Sequence, residues 1–192
     1  QQGQLLTLRE TVDSPPNQCL RKGDQVLAQT SFAHPAPQLK GVKKEILRYR
    51  RADGVDLTGT LYTPPDYDGK SRLPLLIWAY PGEFKSASAA GQIKDSPHKF
   101  IRPFWGGALF FVMRGYAVLE DPAFPIIGED NKEPNDTYLE QLEMDARAAI
   151  QAVAARGVGD PDRCAIGGHS YGAFTTANLL AHTDLFRAGI AR

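Results

Sequence analysis

The sequence contains little cysteine: Cys19 and Cys164 are the only two in 192 residues. Two cysteines cannot build a disulfide framework, and their separation does not match the spacing of metal ligands. Cys164 lies in an apolar, strand-like run, so we expect it to be a small buried side chain. The composition therefore excludes a disulfide-stabilised scaffold and a cysteine-based metal site.

An excess of charge of either sign is also missing. Lysine plus arginine number 22 and aspartate plus glutamate number 22, so the formal net charge is zero. This balance, without a basic block, argues against a partner that is a nucleic acid or a membrane surface. No apolar run approaches the roughly 18 residues of a spanning helix, so no membrane span is predicted. With 42% hydrophobic residues the chain can still build a core.

The sequence also lacks cofactor and metal motifs. Neither the G-x-G-x-x-G pattern nor the Walker pattern occurs, so no cofactor is implied. Four acidic residues could be interpreted as a metal cluster: Glu120, Asp121, Glu129 and Asp130. They lack ligand spacing and an accompanying histidine, so we interpret them as solvated loop residues and predict no metal site.

The apolar pattern divides the chain near residue 42. Residues 1–41 indicate short strands at 4–8 and 25–30, a turn at 13–17 and a proline-containing linker. Two or three such strands cannot bury a core alone, so we expect them to be the tail of a β domain whose body lies upstream.

Residues 42–192 show the alternation of strands and helices that is typical of an α/β domain. Strands are predicted at 44–51, 55–62, 73–80, 116–120, 163–168 and 187–190. Helices are predicted at 105–114, 137–156 and 171–182. The later elements alternate, which predicts a mostly parallel sheet with crossover helices.

The most specific motif is G-x-S-x-G, formed by Gly168, His169, Ser170, Tyr171 and Gly172. It follows a predicted strand and opens a predicted helix, which is the context of a nucleophile elbow. The two glycines are needed because side chains there would collide across the tight turn. Ser170 is therefore the candidate nucleophile, with a purely structural glycine turn as the alternative.

A serine nucleophile needs a general base, and the sequence does not supply one in the expected order. His182 is the single histidine between Ser170 and the last residue. On one helix it would lie about 18 Å along the axis from Ser170, too far for a hydrogen bond. His169 should point away from Ser170, and His34 and His98 precede it. We therefore expect the chain to be part of a longer protein that supplies the missing acid and histidine.

Two segments resemble a known family. DPDRCAIGGHSYGAF, at residues 160–174, resembles the serine elbow of the prolyl oligopeptidase family, and WAYPGEFK, at residues 78–85, makes the glutamyl-peptidase branch the best match. In that family a β-propeller precedes an α/β-hydrolase catalytic domain. The resemblance therefore implies a propeller tail and linker over residues 1–41 and the N-terminal part of the hydrolase domain over residues 42–192. Plant members are chloroplast proteins and bacterial members are often exported, so the compartment stays open.

The resemblance also implies an oxyanion hole. In the family, a tyrosine after an early core strand donates its hydroxyl, together with the N–H that follows the serine. The matching groups here are the Tyr80 hydroxyl and the Tyr171 N–H. Each such donor can lower the barrier by about 3 kcal/mol. The alternative for Tyr80 is an ordinary aromatic residue at a strand end.

Three functions follow from these observations. The resemblance implies a serine peptidase with peptide substrates, cleaved after glutamate in this branch, and inactive without the rest of its catalytic domain and propeller. An esterase would use the same chemistry with a different pocket, but the His-Gly-Gly-Gly motif of lipases is missing. A non-catalytic, truncated hydrolase module is the third, against which the intact elbow argues.

Two further groups of residues receive structural interpretations. The cations around the loop at 81–99 are interpreted as solvated surface rather than as the lining of an active site; they are Lys85, Lys94, Lys99 and Arg102. The nearby aromatic residues are interpreted as core rather than as a ligand cage; they are Phe100, Phe104, Trp105, Phe110 and Phe111.

Overall fold

A small antiparallel sheet opens the chain. The computed structural model describes residues 3–90, 95–128 and 132–192. The first three strands pair in sequence order; they are β1 (Leu5–Thr11), β2 (Ser14–Lys22) and β3 (Gln25–Ala28). This sheet is compatible with the end of a β domain, and its assignment to a propeller stays a prediction.

The turn predicted at residues 13–17 is wrong in position. The chain turns at Val12 and Asp13, and Pro15 and Pro16 lie inside β2. The pairing of β1 with β2 shifts between Arg9 and Thr11. Strands tolerate proline at such irregular positions, because a missing N–H costs no ladder hydrogen bond there.

The other eight strands form the body of the structure. They are β4 (Lys43–Arg50), β5 (Asp56–Thr63), β6 (Leu73–Trp78), β7 (Gly82–Phe84), β8 (Ala117–Glu120), β9 (Pro125–Ile127), β10 (Gly159–Gly168) and β11 (Ala188–Ala191). Six of them form one sheet in the order β11-β10-β6-β8-β5-β4, and β7 pairs with β9. The pairs β11-β10, β10-β6 and β6-β8 are parallel, whereas β8-β5 and β5-β4 are antiparallel. The prediction of a mostly parallel sheet is therefore confirmed, and β7 and β9 lie in stretches for which only loops were predicted.

In the described part of the chain, three α-helices accompany the strands: α1 (Ala87–Ala90), α2 (Tyr138–Ala155) and α3 (Tyr171–His182). Three short 3₁₀ helices are also present: Pro37–Leu39, Leu109–Arg114 and Pro134–Thr137. The helix predicted at 105–114 is thus shorter and of the 3₁₀ type. Within the described ranges, no helix combines the length and apolarity needed to cross a bilayer.

The sheet separates two apolar cores. In β6, Leu75 and Ile77 face the core that contains Leu142 of α2, whereas Leu76 faces the core that contains Leu109. All three β6 residues are almost fully buried. Because successive side chains of a strand point to opposite faces, a strand covered on both faces needs the continuous apolar run that this segment has. The covered sheet provides a rigid base for the end of β10.

A buried ion pair fixes the β4–β5 hairpin to α2. Nη1 of Arg51 lies 2.9 Å from Oδ1 of Asp145, and both side chains are at most 1% exposed. The same guanidinium donates to the carbonyl of Pro125 at 2.9 Å and to Oε1 of Gln141 at 3.2 Å. Burial raises the pKa of Asp145, which the charge of Arg51 opposes. Each of the two buried charges is therefore stabilised by the other, and removing one side chain would leave the other charge buried without a partner.

Candidate active site

The elbow lies where β10 ends and α3 begins. β10 ends at Gly168, α3 starts at Tyr171, and His169 and Ser170 form the connection. Ser170 has φ 56° and ψ −115°, and it is one of two described non-glycine residues with positive φ, besides Asp121. For a residue with a side chain, a positive φ is unfavourable in free energy, and backbone strain of this kind is concentrated at functional sites.

The two glycines of the motif allow close contact with the end of β6. A Cβ on Gly168 would lie 2.5 Å from the carbonyl oxygen of Ala79, and a Cβ on Gly172 would collide with the same oxygen. The backbone that carries Ala79 and Tyr80 therefore packs directly against the elbow. This contact is the physical reason for glycine on both sides of Ser170.

Strand β11 holds the strained turn in place. The N–H of Ser170 donates to the carbonyl of Arg192 at 2.8 Å, and the N–H of Arg192 donates to the carbonyl of Gly168 at 3.1 Å. The guanidinium of Arg192 lies 4.5 Å from the ring centre of Trp105, and its Nη1 donates to the Trp105 carbonyl at 2.8 Å. We call these contacts of Arg192 with the elbow and with Trp105 the Arg192 clamp. It was not predicted from the sequence, because no local pattern relates Trp105 to Arg192.

The two proposed oxyanion donors lie on neighbouring elements. The Tyr171 N–H is the first of α3, and the first N–H groups of a helix have no partner inside it and carry partial positive charge. Tyr80 follows Ala79, whose N–H donates to the carbonyl of Gly167 at 2.9 Å. The ring of Tyr80 is 57% exposed and packs edge-on against the Tyr171 ring, with centroids 6.1 Å apart. The structure therefore places Tyr80 against Tyr171, the residue that follows Ser170, while the role of both tyrosines as oxyanion donors stays a prediction.

The side chain of Tyr171 points into a polar and aromatic group of its own. Its hydroxyl donates to Oε1 of Glu83 at 3.3 Å and to Oδ1 of Asn135 at 3.5 Å. Its ring stacks on Tyr138 with centroids 5.8 Å apart. Burial raises the pKa of the Tyr171 hydroxyl, and Tyr138 and Glu83 act in the same direction. The hydroxyl therefore stays protonated, and the backbone N–H is the group of Tyr171 that belongs to the elbow.

None of the four histidines, all of them in the described part of the chain, is hydrogen-bonded to Ser170. The His169 ring packs edge-on against Trp105, with centroids 5.9 Å apart. His182 is the last residue of α3 and is exposed. Nδ1 of His34 accepts the N–H of Ala36 at 3.0 Å. The described residues thus contain a candidate nucleophile and candidate oxyanion donors, and none of the four histidines is placed as the base of Ser170.

A cavity of about 910 Å³ opens beside the elbow. Its lining includes Tyr80 and His169 from the region of the elbow, and also Glu120 and Phe104. Burial raises the pKa of Glu120 to about 7, and the neighbouring Asp121 adds to the rise. Oε1 of Glu120 accepts the N–H of Ala108 at 3.0 Å, which works against the rise.

The interpretation of the aromatic residues as core is wrong for most of them. Phe100 is buried, but the other four are exposed: Phe104, Trp105, Phe110 and Phe111. Of these, Phe104 lines the cavity and Trp105 packs against His169 of the elbow. They lie on the irregular stretch and 3₁₀ helix between β7 and β8, which covers the sheet with Leu109 and Val112 and leaves the other side chains outward.

The acidic residues do not form a metal site within the described ranges. There, no group of three or more His, Cys, Asp or Glu side chains could hold a metal ion. Glu129 and Asp130, which the sequence analysis considered with Glu120 and Asp121, lie outside the described residues.

The sheet order, the crossover helices and the elbow define an α/β-hydrolase type of domain. Two solved structures share this fold. The acylaminoacyl peptidase of Pyrococcus horikoshii has a TM-score of 0.61 and 20% identity, with 98% of this chain and 29% of that chain covered. Dipeptidyl peptidase 4 of Porphyromonas gingivalis has a TM-score of 0.57 and 18% identity, with 98% and 27% covered. The predicted fold class is confirmed.

Sequence comparison gives the family. Residues 135–192 match the model of the prolyl oligopeptidase family. Probable chloroplastic glutamyl endopeptidases are 55% identical over 166 residues in Oryza sativa subsp. japonica and 53% identical over 175 residues in Arabidopsis thaliana. These matches cover 85% and 90% of this chain and 18% of each relative. The predicted resemblance to the prolyl oligopeptidase family is confirmed, by the family model over residues 135–192 and by the relatives over most of this chain, which spans less than a fifth of their length.

Proposed function

We propose that this chain carries the nucleophile of a serine peptidase that hydrolyses peptide bonds through an acyl-enzyme on Ser170. The observation that carries the proposal is the backbone of Ser170, a non-glycine residue at φ 56° between a buried parallel strand and a helix. Such a turn costs stability and is held by Ala79 and Arg192 on either side. A purely structural turn at this place would use glycine, which adopts positive φ without strain.

The proposed chemistry is acyl transfer. The hydroxyl oxygen of Ser170 attacks the scissile carbonyl carbon, and a histidine from outside these 192 residues takes the hydroxyl proton. The carbonyl oxygen becomes an oxyanion that accepts hydrogen bonds from the Tyr171 N–H and the Tyr80 hydroxyl. The histidine then gives its proton to the leaving amine, and water hydrolyses the ester on Ser170. The base and its orienting acid belong to the rest of the catalytic domain, so the 192 residues alone are expected to be inactive.

The substrate preference and the domain arrangement follow the relatives. Two curated relatives are named probable glutamyl endopeptidases, which supports cleavage next to glutamate. The same relationship supports residues 1–41 as the end of a propeller domain that precedes the catalytic domain.

The test uses the full-length protein that contains this chain. Ser170→Ala should abolish hydrolysis of glutamate-containing peptides and the acyl-enzyme burst, because no other group can form the ester. Ser88→Ala is the matched control, since Ser88 is an exposed serine outside the elbow, and it should leave both unchanged. Hydrolysis of short acyl esters without cleavage of any peptide would contradict the proposal and support an esterase.

A further inference from the structure

Among the described residues, one lysine and one arginine line the cavity beside the elbow, and they differ in whether a carboxylate pairs with them. Lys44 and Arg102 both line the cavity with Tyr80 and His169. Nζ of Lys44 lies 2.8 Å from Oδ2 of Asp95, and the side chain of Lys44 is only 2% exposed. The charge of Lys44 is therefore already paired and shielded from a ligand.

Arg102 has the opposite properties. Its side chain is exposed where it lines the cavity. Among the described residues, no carboxylate lies within ion-pair distance of its guanidinium. Of the other cations around this loop, Lys85 and Lys99 are not among the residues that line the cavity, and Lys94 lies outside the described residues.

Of the described acidic residues that line the cavity, which are Asp95, Glu120 and Asp121, the first two have partners other than Arg102. Glu120 accepts the N–H of Ala108 and is largely buried. Asp95 holds Lys44 and also accepts the hydroxyl of Thr60 at 3.2 Å. Among the described lining residues, Arg102 is thus the lysine or arginine whose donors have no ion-pair partner.

We infer that Arg102 binds the carboxylate of an acidic side chain of the peptide substrate and so contributes to the choice of cleavage site. This inference rests on the proposed function. A guanidinium presents paired N–H donors that match the two oxygens of a carboxylate. A glutamine at the same substrate position offers one oxygen and no charge, so it would bind less well.

The experiment compares pairs of fluorogenic peptides that differ only by glutamate or glutamine, with that residue moved through two positions on either side of the scissile bond. In the full-length enzyme, Arg102→Gln should lower kcat/KM for the glutamate peptide by about ten- to hundredfold at one position, the range of a hydrogen bond to a charged group. The glutamine peptide should change by less than about threefold. Arg102→Lys should restore part of the preference, and Arg102→Glu should favour lysine at that position. Lys99→Gln is the control, because Lys99 is an exposed cation of the same region outside the cavity lining.

The inference and the proposed function can fail separately. The inference is wrong if Arg102→Gln and Arg102→Lys both keep the wild-type ratio of kcat/KM between the glutamate and glutamine peptides at every position. If Ser170 still reacts with a fluorophosphonate in these variants, the proposed peptidase function is not affected by that result. If wild-type Ser170 does not react and no peptide is cleaved, the proposed function fails, and the role of Arg102 fails with it. Should Arg102→Gln not fold, the comparison of Arg102→Lys with wild type decides the question, since lysine keeps the charge and loses the paired donors.

Discussion

Removing one hydroxyl group tests the oxyanion hole. In Tyr80→Phe the ring remains, so its edge-on contact with Tyr171 at 6.1 Å is kept. Because Tyr80 is 57% exposed, the free energy of unfolding should change by less than about 0.5 kcal/mol. If the hydroxyl stabilises the oxyanion, its loss should reduce kcat by about 100- to 1000-fold, or about 3 to 4 kcal/mol in the barrier.

Tyr171→Phe is the matched control for this prediction. It removes a hydroxyl that donates to Glu83 and keeps the backbone N–H that we assign to the oxyanion hole. Its effect on kcat should be below about threefold, as expected for a weak, exposed hydrogen bond. The assay is single-turnover hydrolysis of a peptide by the full-length enzyme, with thermal unfolding as the check on stability. Equal losses in the two variants, or a loss below threefold in Tyr80→Phe, would refute the assignment of Tyr80.

Three other perturbations test the packing and the electrostatics of the full-length protein. Gly172→Ala should abolish activity and lower the melting temperature, because the added Cβ meets the Ala79 carbonyl; an active, equally stable variant would contradict the close contact. Arg51→Met should lower the free energy of unfolding by about 3 to 5 kcal/mol in denaturant titrations, since it leaves Asp145 buried without compensation. Glu120→Gln should stabilise the protein at pH 8 and not at pH 4. The pKa of Glu120 is about 7 in the folded state and 4.5 ordinarily, so between these two pH values the folded protein keeps a proton that the unfolded chain has lost. The free energy of unfolding of the wild type therefore falls as the pH rises from 4.5 to 7, by up to about 3 kcal/mol. Unfolding curves with the same pH dependence in the variant and wild type would contradict that assignment of Glu120.

The elbow could be predicted from sequence because its determinants are local. Gly168 and Gly172 flank Ser170 within five residues, and the strand and helix on either side have clear apolar patterns. The bounds of α3 agree with the prediction, and β10 is longer at its start. The order of strands and helices in the α/β part could also be predicted from the sequence, because a buried parallel strand such as β6 has a continuous apolar run.

Other features depend on contacts between distant segments, and sequence patterns did not show them. The Arg192 clamp on Ser170 joins Trp105 to Arg192, which no periodicity relates. The start of α2 is another example. The helix is predicted to start at residue 137, but a 3₁₀ helix occupies Pro134–Thr137 and α2 begins after Thr137 without a side-chain cap. Tertiary packing of the preceding segment decides how that helix starts.

The exposure of these aromatic residues also could not be predicted from the sequence. Their composition is that of a core, yet the sheet face they approach is already filled by Leu76, Leu109 and Val112. Phe104 and Trp105 therefore remain outside and border the elbow and its cavity. Hydrophobicity alone could not distinguish a core position from a position at the rim of a site.

The central claim is that Ser170 is the nucleophile, and covalent labelling tests it most directly. The full-length protein would be treated with a fluorophosphonate, digested and analysed by mass spectrometry to locate the adduct. We predict one adduct, on the peptide that contains Ser170, and none in Ser170→Ala. An adduct on a different serine, or labelling that persists in Ser170→Ala, would contradict the account.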